Sequence, residues 1–283
     1  MGIRMSGLRK RLMLHYAPQE TLMRDAIKGL RDIMGTQFTR VSSEEILSRA
    51  RLVQLTRESD TYTVLRMRRG NTARFFRYEG LQFLEEARRL DRPVVLLTSH
   101  MGSLYTMNVA VGFQGFRVFP IARSVDRSPA TSESERKYLT LNYRLTGLKL
   151  KGRYLFTDFS SRMDRSIISL FNCKGICCNA IDIPRNLYPH KHEPVTFLGR
   201  RATLPAGFIY WAVKKEAVFL TMWNIVDAVD EKALHRCVKI EPIIETSDVG
   251  SILQCYANRL TKVICQEPWQ WMGLPIARQY HEP

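Results

Sequence analysis

The sequence predicts an α/β protein with a central, mainly parallel sheet flanked by helices, and three observations carry that prediction. From Arg77 onward, short β-branched and apolar runs alternate with longer helical stretches, the pattern of βα units. Residues 94–97 contain no polar member, as suits a strand buried on both faces. The chain has 283 residues, 45% of them hydrophobic and 25% charged, so it can enclose one large core.

Residues 1–60 read as a basic helical segment and residues 61–283 as the α/β domain. Met23, Ile27, Leu30 and Met34 recur on one helix face, with Arg24, Lys28 and Arg31 between them. That face can pack on the core or lie in a lipid head-group layer, and the general tendency to bury an amphipathic stripe favours packing. Next come a helix at 80–89, a strand at 93–99, a small-residue helix after Gly102, a strand at 116–121 and a helix near 132–145. Further strands are predicted at 175–182, 195–198, 217–226 and 236–242, with helices around 203–214 and 249–265. Residues 182–194, with three prolines, are the most loop-like stretch. Phe208, Tyr210, Trp211 and Trp223 are assigned to the core.

Forty-three Lys and Arg against 27 Asp and Glu give a formal charge of +16, which attracts phosphates, anionic head groups or acidic proteins without choosing among them. No helix-turn-helix, zinc-finger or RNA-binding signature accompanies that charge, so nucleic acid is not the expected partner. Glycine-rich dinucleotide and P-loop sequences are also absent. No apolar run reaches the roughly 18 residues of a spanning helix. The best, 217–226, is interrupted by Asn224 and followed by Asp227. The apolar stretch at 12–14 is too short for a signal-peptide core, and the expectation is a cytoplasmic protein with six reduced cysteines. Cys173, Cys177 and Cys178, followed by His190 and His192, superficially suggest a metal set. The run 176–181 is apolar and β-prone, however, and no paired C-x-x-C element is present, so no metal is expected.

In an open α/β sheet, functional groups gather at the carboxyl ends of strands, where this sequence puts Ser99, His100 and Gly102. Gly102 lets a backbone approach closely, and the helix that follows can offer amides to an oxyanion. The blocks Glu79-Gly80-Leu81 and Arg92-Pro93-Val94-Val95-Leu96-Leu97-Thr98-Ser99-His100-Met101-Gly102-Ser103-Leu104 are followed in order by several others. These are 118–126 with Arg123, then Ile181-Asp182-Ile183-Pro184-Arg185, then 194–203 with Arg200 and Arg201, and finally Glu267-Pro268-Trp269-Gln270-Trp271-Met272. Over about residues 75–275 this collinear set resembles the bacterial lipid A biosynthesis acyltransferases of the lysophospholipid acyltransferase superfamily.

The resemblance implies an α/β sandwich, no bound cofactor, and a donor thioester on the phosphopantetheine arm of an acyl carrier protein. A lipid A hydroxyl is the implied acceptor, at the inner face of the bacterial inner membrane, with His100 as general base. The family's His-x4-Asp/Glu pattern would put an acid at 105, but this chain has Tyr105. A phenol can hydrogen-bond the imidazole yet carries no charge near neutral pH, so Asp158 and Asp182 are candidate supporting carboxylates. His-x4-Tyr resembles the lipid A glycyltransferase branch, which implies a glycyl carrier protein as donor and a lipopolysaccharide surface made less anionic against antimicrobial peptides. Fatty acyl transfer and a catalytically silent basic membrane-binding module are the alternatives. The candidate catalytic residues are His100 and Tyr105, and the candidate substrate-binding residues are Ser103, Arg123, Asp182, Arg185 and Arg200.

Overall fold

A computed structural model describes residues 6–123, 133–157, 165–188, 190–227 and 235–280, with side chains from Glu20 onward apart from a few scattered positions. Two helices, α1 (Ser6–Met34) and α2 (Ser43–Arg66), precede the sheet. Then follow β1 (Phe76–Glu79), α3 (Leu81–Arg89), β2 (Val94–Thr98), α4 (Leu104–Phe113), β3 (Val118–Arg123), α5 (Glu133–Gly147) and β4 (Leu155–Thr157). The second half contributes α6 (Arg165–Asn172), β5 (Ile176–Ala180), β6 (His192–Phe197), β7 (Arg200–Pro205), α7 (Gly207–Lys214), β8 (Val218–Asp227), β9 (His235–Ile240) and α8 (Val249–Gln266).

Seven strands form one sheet in the order β1-β9-β8-β2-β5-β3-β4, and β6 and β7 form a separate antiparallel hairpin. Every pairing in the large sheet is parallel except β8 with β9. β2 lies at its centre, with Val94 in register with Ile176 of β5 on one side and Val218 of β8 on the other. Strand side chains alternate between faces, so Val95 and Leu97 enter one core with Cys177 and Phe219, while Val94 and Leu96 enter the other with Cys178 and Leu220. Burying each such aliphatic side chain contributes roughly 1.5–3 kcal/mol. The cysteines of β5 thus pack as small apolar groups, one on each face.

The apolar stripe of α1 is packed, not displayed. Met23, Ala26, Ile27 and Leu30 are buried in the same core as Val95 and Leu97, joined by Ile46, Leu47, Ala50 and Val53 of α2. α2 starts where Ser42 accepts a hydrogen bond from the amide of Glu45 at 3.2 Å, which satisfies one of the amides a helix start leaves open. The expected domain boundary at residue 60 is corrected: α2 runs through it, and Asp60 is buried against Arg236 of β9.

Other expectations also shift. The helix expected at 203–214 is the strand β7 followed by the shorter α7, because residues 200–205 pair with β6 as a hairpin through the left-handed Leu198 and Gly199. The edge strand β1, the three-residue β4 and the short helix α6 had no strong sequence signal. Trp223 is fully buried, and Phe208, Tyr210 and Trp211 are partly buried against the core. No helix among the described residues is long and apolar enough to cross a membrane.

Candidate active site at the ends of two neighbouring strands

Strand register brings the site together. Thr98 at the end of β2 pairs with Ala180 at the end of β5, and the Ile181 amide donates to the Thr98 carbonyl at 3.1 Å. His100 and Asp182 each lie two residues beyond that last pair, so two parallel strands deliver them side by side. The His100 amide donates to Asp182 Oδ2 at 2.9 Å, and His100 Nδ1 lies 2.7 Å from Asp182 Oδ1. A carboxylate at Nδ1 holds the proton there, which leaves Nε2 as the basic nitrogen. Asp182 is buried, whereas 37% of the His100 side chain is exposed.

The carboxylate is itself held in place. Trp271 Nε1 donates to Asp182 Oδ2 at 2.9 Å, and the Tyr280 hydroxyl donates to the Asp182 carbonyl at 2.8 Å. Trp271 packs edge-on against Phe197 of the hairpin, with ring centroids 5.8 Å apart. Burial depresses the basicity of His100, but the charge and hydrogen bond of Asp182 outweigh it, with the Arg57 guanidinium opposing them. The imidazole is therefore a stronger base than usual.

The turn that carries His100 is tightly specified. Gly102 has φ +49°, and a Cβ there would lie 2.0 Å from the Asn224 carbonyl oxygen, so only glycine fits. The amides of His100, Met101 and Gly102 donate to Asp182, to the Ser99 carbonyl at 2.8 Å and to the Gln270 carbonyl at 2.9 Å respectively. These three amides are therefore committed within the turn, and Ser103 at the start of α4 makes no side-chain cap hydrogen bond.

At Nδ1 of the imidazole the structure places Asp182, and not Tyr105 as the spacing suggests. Tyr105 stands in the first turn of α4, where its ring meets Tyr143 of α5 edge-on at 5.5 Å and its hydroxyl hydrogen-bonds the Tyr143 phenol. Tyr143 in turn contacts Tyr154 and Phe156, so Tyr105 belongs to an aromatic cluster and Asp182 is the partner of the imidazole. Asp182, expected both as a candidate support for the imidazole and as a substrate ligand, stands buried at Nδ1 in the first of these places.

Ser103 is corrected as well: it is 1% exposed, and its hydroxyl bonds the Asp60 carboxylate and lies 2.5 Å from Thr106 Oγ1. A group so enclosed holds α4 in place and is closed to substrate. Arg185 is exposed on the turn after Pro184, and Arg200 is exposed at the start of β7 on the hairpin. Arg123 is the last residue of β3, with its side chain outside the described part, and Asp158 lies outside the described residues altogether. Arg57, which sequence reading passed over, reaches the carbonyls of Gly102 and Gln270 from α2. Its only sequence signal is a charge among the buried positions Val53, Thr56, Asp60 and Val64 of that helix. Among the described residues, no group of three or more His, Cys, Asp or Glu could hold a metal ion.

No known family model matches the chain, and no curated protein is significantly similar to it. Fold and site together define an α/β protein with an Asp-supported histidine at the carboxyl ends of adjacent parallel strands.

Proposed function

We propose that the protein is an acyltransferase in which His100 is the general base, and that it moves a glycyl group from a carrier-protein thioester to a hydroxyl of lipid A. The observation that carries this reading is the hydrogen-bonded pair of a partly exposed His100 and a buried Asp182. Nε2 takes the proton of the acceptor hydroxyl as its oxygen attacks the thioester carbonyl. The tetrahedral intermediate then collapses: the new C–O bond remains, the C–S bond breaks, and the leaving thiolate takes the proton back from the imidazolium. Asp182 stabilises the imidazolium without itself being protonated. The sandwich of the lysophospholipid acyltransferase superfamily is the finer fold reading, supported by the collinear blocks and by the mainly parallel sheet.

The choice of donor rests on the His-x4-Tyr signature and on where the acid stands. An aminoacyl thioester brings an ammonium next to the reacting carbonyl, and a carboxylate at position 105 could trap it. Asp182 is 1% exposed at its side chain and engaged by His100 and Trp271, so it supports the base while staying out of an ammonium's reach. The +16 charge suits a peripheral position at the anionic inner face of the inner membrane and an acidic carrier. Glycylation would lower the negative charge of the lipopolysaccharide surface and so favour resistance to cationic antimicrobial peptides.

The test is an assay with purified lipid A and two loaded carrier proteins, glycyl and fatty acyl, read by mass spectrometry. A glycyl adduct is expected with the wild type, and its rate should fall by about 10²–10⁴ in His100→Ala. A fatty acyl adduct without a glycyl one would overturn the donor assignment. Equal rates in wild type and His100→Ala would overturn the role of the base.

A further inference from the structure

We propose that Arg57 is the positioning residue for His100: one guanidinium on α2 ties the carbonyls of the catalytic turn to the segment behind it. This rests on the reading of His100 as the base. Arg57 Nε donates to the Gly102 carbonyl, and Nη2 donates to the Gln270 carbonyl at 2.8 Å with a longer contact of 3.5 Å to the His100 carbonyl. The Gly102 amide donates to the same Gln270 carbonyl at 2.9 Å, and the Met272 amide donates to the His100 carbonyl at 2.9 Å. Two chain segments about 170 residues apart are thus locked across one side chain, and both touch the dyad, one through His100 and the other through Trp271 on Asp182.

A planar fork with several fixed donors suits this job, and a lysine's single ammonium cannot span the same carbonyls. The cation has a second effect. Arg57 is a positive charge near the imidazole and opposes the rise in basicity that Asp182 produces. The other ionisable groups around the turn are engaged elsewhere. Asp60, one turn along α2, faces Arg236 and Ser103, the Tyr256 hydroxyl of α8 donates to the Thr98 carbonyl, and the Tyr280 hydroxyl donates to the Asp182 carbonyl. Asp182 and Arg57 therefore set the basicity of His100 from opposite sides, and α2 serves as part of the site.

Arg57→Gln removes fork and charge, whereas Arg57→Lys keeps the charge and loses the fork. The test is an NMR titration of His100, assigned by the signal missing in His100→Ala, together with hydrogen exchange of the Met101 and Gly102 amides, in folded protein below each variant's unfolding midpoint. The His100 titration should move to higher pH in Arg57→Gln and stay in place in Arg57→Lys, and the turn amides should exchange at least tenfold faster in both. Transfer rates should fall by about 10–100-fold in both variants, as displacement of a catalytic group by an ångström costs. Wild-type titration in Arg57→Gln, or wild-type protection of the turn amides in Arg57→Lys, would overturn the proposal. Should Arg57→Gln fail to fold, amide exchange in Arg57→Lys decides. These readouts need no turnover, so an inactive wild type would sink the transferase reading and leave this one to be judged separately.

Discussion

At the scale of single residues, the site depends on which group supports the imidazole. The spacing from His100 to Tyr105 suggests a phenol, because residues about one helical turn apart can meet. Position 100 is not helical, however: α4 begins only at Leu104, after a turn fixed by the left-handed Gly102. The helical spacing rule therefore has no helix to act on, and Tyr105 turns to Tyr143 instead. Tyr105→Phe should then keep transfer within about threefold of wild type, since its phenol bonds Tyr143 and Nδ1 belongs to Asp182, while Asp182→Asn should lose about 10³–10⁴-fold. The pH dependence separates them further. Without Asp182, burial and Arg57 both lower the His100 pKa, so the acid limb of the rate profile of Asp182→Asn should move to lower pH. A large loss in Tyr105→Phe with a mild effect in Asp182→Asn would return the supporting role to the phenol. Asp182 was visible in the sequence as the acid that closes a predicted strand and as one of two candidate supports for the imidazole. What placed it was the pairing of β2 with β5, a contact between residues 82 apart that no local pattern encodes.

At the scale of elements, the buried pair of Asp60 and Arg236 fastens α2 to β9, with Nη2 and Oδ1 2.7 Å apart and both side chains 2% exposed. Burial raises the Asp60 carboxyl to about 6, against the pull of Arg236, of its own hydrogen bond from Ser103 and of Arg57. A folded-state value above the unfolded one means that the native state holds its proton more tightly. This group's contribution to stability is then full below about 4, falls as pH rises toward about 6, and is flat above that. Asp60→Asn should flatten that window in a series of denaturant melts from pH 4 to 7. At pH 7.5, where the carboxylate is ionised and paired, the same change leaves a buried guanidinium without its acid and should cost about 3–5 kcal/mol. Unchanged stability at pH 7.5 would mean that Arg236 has found another acceptor. The sequence made the helix legible through its apolar positions but not this pairing, because a lone acid at an inward position looks like an exception to burial until its partner strand is known.

At the scale of the whole molecule, the alternation of strands and helices predicted the sheet well because β2, β5 and β8 are its central strands, and burial on both faces leaves a continuous apolar run in the sequence. β1 and β4 occupy the two edges, where short strands with exposed side chains leave little to read. The N-terminal helices were legible as helices but not as part of the unit that carries the site, since a basic amphipathic helix has the same pattern on a protein core as on a membrane. The packing distinguishes the two. α1 and α2 supply Ile27, Ile46, Val53 and other fully buried side chains to the core that also holds Val95 and Leu97 of β2, and α2 brings Arg57 to the turn that carries His100 and Asp60 to Ser103 and Arg236. A separable appendage would leave an intact core when removed. Here, cutting the chain at 60 removes Ile27, Ile46 and Val53 from the core, takes Asp60 from Arg236 and takes Arg57 from the Gly102 carbonyl. Residues 61–283 expressed alone should therefore lack cooperative thermal unfolding and should bind a hydrophobic dye, and a separately produced 1–60 peptide should fail to restore transfer at equimolar concentration. A fragment 61–283 that melted cooperatively within a few degrees of the full chain would show that the sheet is sufficient and that α1 and α2 are accessories to it.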